Sequence, residues 1–192
     1  MHSKAHEAWF GSRKAELNRL ELAHAALGGS GPGRRHTTQQ VNQAYTVLLS
    51  SYFQAYCRDV HSTASAFLAK SARPTSLSPI MQVELTRGRK LDRGNPNPDN
   101  LESDFKRLGL ALWATLDAED TKSSRRKAKL DELMSWRNAI AHQDFTKAKL
   151  KGRSTIRLRE VRGWRSACNG LVRTMDLVVG SHVRGLVGRS PW

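Results

Sequence analysis

The strongest constraint on the fold is a seam of side chains near the end of the sequence. Between residues 159 and 187, apolar residues return every three or four positions over about eight turns, the spacing that places them on one face of an α-helix. A half-buried strand would need alternation at every second position, which is absent here. The spacing therefore predicts a long helix over 159–187. Its buried face is expected to include a core histidine whose ring nitrogens have hydrogen-bond partners. The seam consists of Val161, Trp164, Cys168, Leu171, Met175, Val178, His182 and Leu186.

Similar spacing predicts four more helices and no convincing strand. They are expected over residues 4–27, from 37 or 38 to about 70, over 98–116 and over 123–142. Five helices without a sheet indicate an all-α protein, an antiparallel helical bundle.

Two connections between these helices suggest the domain organisation. Residues 28–33 contain four glycines, so 1–37 is interpreted as an N-terminal helix with a linker, and 38–192 as the main helical domain. Residues 71–97 form a second connection, with three prolines, a basic stretch and one short helix expected over 79–85. Connections of this length are uncommon and tend to be functional or disordered.

The charge of the chain points to an anionic partner. The 192 residues include 32 Lys and Arg against 17 Asp and Glu, a formal net charge of +15. Residues 121–165 contain fourteen of these cations and four acids, so +10 of the surplus lies in a quarter of the length. Nucleic acid is the commonest partner of such a surface, although a basic surface can also serve solubility or an acidic protein.

Other features exclude several classes of site. Cys57 and Cys168 are far apart and without ligand spacing, which favours two buried thiols over a disulfide or a zinc site. The other histidines, His2 and His6 among them, show no ligand spacing with acids or cysteines, so no metal or cofactor is expected. The first 20 residues have no apolar signal core, and no stretch reaches the ~18 apolar residues of a membrane span, so we expect a cytoplasmic protein.

Three polar residues near position 140 could carry chemistry. Asn138 and His142 are one helical turn apart and share a face, whereas Arg137 and His142 are about 140° apart around the axis. A straight helix would separate Arg137 from His142. They converge more easily at a helix end, or where two copies of the helix meet, which predicts a site at a helix C-terminus shared by two protomers.

This trio suits cleavage of RNA. An imidazole titrates near neutral pH and can take a proton from a ribose 2′-OH or give one to the leaving oxygen. A guanidinium can bind phosphate oxygens through two N–H groups and stabilise the charge that develops on them. Asn138 could orient either group. Because the 2′-OH is the nucleophile, this chemistry needs no metal.

The spacing alone is a weak signal, and a structural interpretation competes with it. His142 could simply pair with the helix dipole, while Arg137 forms a salt bridge with Asp131 or Glu132. Trp136, just before the motif, is expected in the core or a dimer interface rather than as a platform for base stacking.

The segment Arg137-Asn138-Ala139-Ile140-Ala141-His142 resembles the signature of the HEPN superfamily, an Arg followed after four to six residues by a His, with a polar residue directly after the Arg. The fuller pattern resembles the RiboL-PSP-HEPN branch. Its pieces are a long helix similar to 41–60, an Asn-Pro-Asn-Pro turn that begins at Asn95 and leads into a helix, and one long closing helix. They occur in this order over residues 38–187.

The resemblance implies a dimerising helical bundle in which two Arg/His pairs meet in one cleft. It also implies metal-independent endoribonuclease activity, often in toxin–antitoxin, abortive-infection or stress and defence systems, with an antitoxin protein as a further partner. Arg137, Asn138 and His142 occupy the motif positions. The cations expected to contact RNA are Arg125, Arg126, Lys127, Lys129, Lys147, Lys149, Lys151 and Arg153.

One departure concerns an acidic residue. Relatives often have a Glu near the position of Gln54, and this chain has none there, unless Asp59 takes its place.

Three hypotheses about function follow from the sequence: an endoribonuclease, a non-catalytic HEPN module that binds RNA or a protein partner, and an unrelated basic helical scaffold with an accidental motif.

Overall fold

The computed structural model describes residues 1–28, 34–146, 150 and 152–192. In this part of the chain every regular element is helical, as predicted, and no strand occurs. The glycine-rich residues 29–33 of the expected linker lie outside the described residues. The α-helices are α1 (Lys4–Ala8), α2 (Lys14–Leu27), α3 (Arg34–Ser71), α4 (Ser78–Thr86), α5 (Pro98–Lys106), α6 (Leu112–Glu119), α7 (Ser123–His142) and α8 (Leu158–Val187).

The predicted first helix is present with one irregularity. A π-helical turn, Trp9–Arg13, joins α1 to α2 without a break in helical backbone angles. Trp9 is buried, and its indole N–H donates to Oδ1 of Asn169 on α8, 2.8 Å away. This run therefore belongs to the same hydrophobic core as α3 and α8.

The core forms where α8 packs on α3 and α7. Contacts along their lengths show that α3 and α8 run in the same direction: the Tyr56 hydroxyl donates to the carbonyl of Val172, and Asn42 near the start of α3 donates to the carbonyl of Ile156 just before α8. By the same criterion α7 runs opposite to α8, because Arg126 near the start of α7 lies against Gly170 and Thr174, whereas Trp136 near its end lies beside Trp164.

The buried face of α8 follows the predicted seam up to its last positions. The six residues from Val161 to Val178 are buried, and Val183 continues the face, whereas Leu186 is 57% exposed. Placing Leu186 in the core was therefore wrong. In the final turn Val187, and not Leu186, packs against the core.

The expected single helix over 98–116 is in fact two helices. Gly109, with φ of +76°, ends α5 in a Schellman motif, where Leu110 N–H donates to Phe105 O and Gly109 N–H to Lys106 O. Only glycine adopts this backbone conformation without strain, so the chain turns here and starts α6 at Leu112. The apolar residues whose spacing predicted the helix are nevertheless all buried: Leu101, Phe105, Leu108, Leu112 and Leu116.

Two further sequence predictions concern cysteines and membranes. Cys57 and Cys168 are buried free thiols, as expected, and burial raises the pKa of both. Among the described residues, no helix combines the length and the apolar character needed to cross a bilayer.

His61 on α3 is a buried histidine that supports the end of α5. Its Nε2 lies 2.9 Å from the carbonyl of Asp104, and its Nδ1 lies 3.3 Å from both Ser65 Oγ and Arg89 Nη1. A neutral imidazole with the proton on Nε2 satisfies this arrangement. Burial, with a smaller contribution from the Arg89 charge, lowers the pKa of His61 to about 4.

This predicts an acid-sensitive fold. His61 is neutral in the folded protein down to about pH 4, whereas an unfolded histidine takes up its proton near pH 6.5. The stability that His61 contributes is therefore complete above pH 6.5 and lost as the pH falls from there toward 4, by about 2 kcal/mol at pH 5. Urea unfolding at pH 7 and pH 5 measures this loss.

The matched variant is His61→Gln, whose amide N–H can still donate to Asp104 O but does not titrate. It is expected to lose less stability than the wild type between the two pH values. An equal loss in both proteins would contradict the assignment of this acid sensitivity to His61.

Candidate functional site

The end of α7 is fixed by backbone geometry. Gln143 has φ of 51° and ψ of 32°, the left-handed conformation, and its N–H donates to Ile140 O. The next N–H, of Asp144, donates to Ala139 O at 3.0 Å, which completes a Schellman motif. His142 is thus the last helical residue, and its side chain is exposed.

Arg137 and Asn138 lie one turn earlier and are half-buried. Nη1 of Arg137 donates to Oδ1 of Asn138 at 3.3 Å, and the same oxygen accepts a short hydrogen bond from the Asn95 amide. Glu132, one of the two acids considered as a salt-bridge partner of Arg137, is bound to other cations. It accepts from Lys129 at 2.7 Å.

Asn95 is held by the Asn-Pro-Asn-Pro turn. Its carbonyl accepts from Nδ2 of Asn100 at 2.8 Å, and Oδ1 of Asn97 caps α5 by accepting from the Asn100 N–H at 2.8 Å. Pro98 in the first turn of α5 costs no hydrogen bond there. The turn therefore presents the Asn95 amide to Asn138 from a rigid helix start.

Gln54 on α3 fixes the other side of this turn. Its Nε2 donates to the carbonyls of Leu91 and Gly94, both at 2.8 Å. A carboxylate has no proton to donate here, so Gln54 acts as a clamp on the segment that precedes Asn95. Asp59, the alternative acid, is bound to Arg13 at 2.9 Å on the side that faces the first helical run.

Within the described residues, no hydrogen bond joins Arg137 to His142. Arg137 is bound to Asn138, and His142 extends from the helix end into solvent. This agrees with the 140° separation expected from helix geometry.

Comparison with known proteins identifies the family. The family model described as RiboL-PSP-HEPN matches residues 11–180. The chain belongs to the RiboL-PSP-HEPN family. A search of curated proteins and a search of solved structures each found no match.

The match places this HEPN domain over most of the fold. It begins in the π-helical turn, before the boundary expected at residue 37, and ends within α8. Trp9 and Leu17 of the N-terminal run are buried in the common core.

Four of the eight cations expected to contact RNA line two grooves of the HEPN domain. Arg125, Arg126 and Lys129 line the groove between α7 and α8, where Arg173, which the sequence analysis missed, joins them. Lys127 faces the opposite groove, between α7 and the start of α5, with its Nζ 5.0 Å from the ring centre of Trp113.

Some of these cations already have partners. Arg126 binds Asp120 at 2.5 Å and lies against Gly170, so a larger residue at position 170 would require the Arg126 side chain to move. Arg153 pairs with Glu160 and stacks over the Trp136 ring at 5.5 Å.

Three more predicted cations, Lys147, Lys149 and Lys151, lie outside the described residues. Trp136 is 1% exposed and packs against Trp164, as its interpretation as a core residue predicted.

The fold forms a histidine cluster that the sequence did not reveal. His2 and His6 lack acids at ligand spacing in the sequence, yet the fold brings both to Asp176 on α8, 174 positions from His2. Spacing along the chain could not reveal this cluster.

A substitution at Gln54 tests its role as a clamp. Gln54→Glu removes both N–H donors and sets a carboxylate against two carbonyls, so we expect the free energy of unfolding to fall by about 1–3 kcal/mol. Chemical denaturation measures the change.

Gln40→Glu, an exposed change of the same type on α3, is the control and should leave stability nearly unchanged. If Gln54→Glu were as stable as the wild type, the assignment of Gln54 as a clamp would be contradicted.

Proposed function

We propose that this HEPN protein is a metal-independent endoribonuclease. The observation that carries the proposal is the placement of Arg137, Asn138 and His142 at the fixed end of α7, with the imidazole free in solvent and the guanidinium oriented by a neighbouring amide. The net charge of +15, of which +10 lies in residues 121–165 around the motif, suits binding to the RNA backbone.

In the proposed reaction the 2′-OH of the ribose attacks the adjacent phosphate and the 5′ oxygen leaves. His142 removes or donates the proton, because an imidazole can do either near neutral pH. Arg137 binds the phosphate oxygens as charge develops on them. The products are a 2′,3′-cyclic phosphate and a 5′-OH, and no water or metal ion is consumed in this step.

Asn138 is proposed as a positioning residue. Its Oδ1 already accepts from both Arg137 and Asn95, so it restricts the orientation of the guanidinium before RNA arrives. Pre-orientation lowers the entropic cost of placing a charged group at the reacting phosphate.

The site is further proposed to be completed by dimerisation. Arg137 and His142 diverge on one helix, and a second copy of α7 could place His142 of one protomer near Arg137 of the other. Cytoplasmic action as a toxin or as a defence or stress effector, with an antitoxin as partner, belongs to the same proposal and rests on the family alone.

Alanine substitutions test the chemistry. Arg137→Ala and His142→Ala should each reduce RNA cleavage at least about a hundredfold while the fold is retained, because each removes a group that acts on the reacting phosphate. Cleavage of labelled RNA in EDTA, with circular dichroism as the folding check, measures this.

Arg19→Ala and His24→Ala on α2 are the matched controls and should cleave normally. If both site variants cleaved like the wild type, the assignment would fail. Salt-sensitive RNA binding with no cleavage by the wild type would instead indicate a non-catalytic HEPN module.

Mixing two inactive variants tests the shared site. If Arg137 of one protomer works with His142 of the other, a dimer of one Arg137→Ala chain and one His142→Ala chain retains one complete site. The mixture should then recover up to about half of the wild-type activity per dimer, by the pairing of the two intact groups.

The measurement is cleavage by co-expressed chains that carry different affinity tags, purified in tandem. Each variant expressed alone is the control. A mixed dimer as inactive as its parents would contradict the pairing of one intact Arg137 with one intact His142 across the dimer.

A further inference from the structure

A cluster of metal-binding side chains lies far from α7, where the start of the chain meets α8. His2 and His6 approach Asp176, and one possible ligand atom from each residue lies within 4.8 Å of the others. The two imidazole rings stack, with centres 3.9 Å apart and planes inclined by 10°. Residues from the two ends of the chain thus meet at one point.

Asp176 is the anchor of this cluster. It is 1% exposed, and its Oδ1 accepts from both the N–H and the hydroxyl of Ser3, the residue that caps α1. Its Oδ2 lies 3.0 Å from Nδ1 of His2. Ser3 therefore fixes the carboxylate so that its second oxygen is directed toward the imidazoles.

We propose that His2, His6 and Asp176 form a binding site for a divalent transition-metal ion of the Zn²⁺ class. Two imidazole nitrogens and one carboxylate oxygen are a ligand set that Zn²⁺ favours, with solvent in the fourth position. Ligands at bond lengths of about 2.0–2.2 Å in a tetrahedron are roughly 3.3 Å apart. Nδ1 of His2 and Oδ2 of Asp176, 3.0 Å apart, are already close to this separation.

Two further features suit a metal site: a hydrogen bond behind the carboxylate ligand and a groove that opens to solvent. The Ser3 hydroxyl bound to Oδ1 orients the carboxylate, as groups behind metal ligands commonly do. A groove lined by His2, Asp176, Gly180, Ser181 and Arg184 opens beside the cluster. The His2 side chain is 63% exposed, so an ion can reach the imidazoles without opening the core.

The competing explanation is a purely structural tether, in which a hydrogen bond from His2 to Asp176 attaches the N-terminal run to α8. Both explanations use the same contacts. They differ in the role of the His6 imidazole: a tether needs only the contact of His2 with Asp176, whereas a metal needs His6 as a further ligand.

Titration of the protein of residues 1–192, without a histidine tag, distinguishes the two explanations. We expect one Zn²⁺ per chain by calorimetry, absorption bands of tetrahedral Co²⁺ in the visible range, and a rise of several degrees in the thermal midpoint on adding Zn²⁺. His2→Ala and His6→Ala should each weaken Zn²⁺ binding at least about tenfold.

His24→Ala and His36→Ala, other histidines of the N-terminal third, are the controls and should leave affinity unchanged. Asp176→Asn keeps an acceptor for Ser3 but removes the charge, and should abolish binding in a folded protein. Absence of Zn²⁺ binding at about 100 μM, or equal affinity in wild type and His6→Ala, would overturn the proposal. Because this site is separate from α7, RNA cleavage should persist in both His2→Ala and His6→Ala.

Discussion

Burial of one face of α8 against α3 and α7 is the constraint on which the rest of this fold depends. Each large apolar side chain removed from water there contributes about 1.5–3 kcal/mol, more than a typical hydrogen bond at about 0.5–1.5 kcal/mol. The seam therefore sets the position of α7, and with it the position of the motif. Trp136, one residue before Arg137, is part of that packing through its contact with Trp164. Packing of Trp136 in the core thereby holds the backbone of α7 in place next to Arg137.

Polar contacts then arrange the site on this rigid base. The buried carboxylate of Asp104 accepts the N–H groups of Lys90 and Leu91, both at 2.8 Å, and Gln54 holds the carbonyls of Leu91 and Gly94. The two side chains satisfy the backbone of a connection that has little regular structure. Asn95 emerges from it against Asn138, so the long connection between α4 and α5 serves to position the candidate site.

The exposed cations are divided by the same packing. One side of α7 faces α8 and the other faces the start of α5, so neighbouring basic residues such as Arg126 and Lys127 point into different grooves. A basic stretch in the sequence is therefore not one continuous surface in the protein. Arg173 lines the groove between α7 and α8 together with Arg125, Arg126 and Lys129, although it lies 44 positions or more from them in the sequence. The antiparallel packing of α7 against α8 brings them together.

The sequence by itself determined the helical class, the position of most helices and the family. Periodicity of three and four residues is a local property, so it identified α7 and α8 nearly to the residue. It did not reveal the turn at Gly109, because the apolar spacing continues through it and only the backbone conformation changes. The tertiary structure alone decided that Gln54 serves as an amide donor, that Asn95 binds Asn138, and that His2 and His6 meet Asp176. These contacts join residues far apart in the chain, and packing of whole helices determines which of them meet.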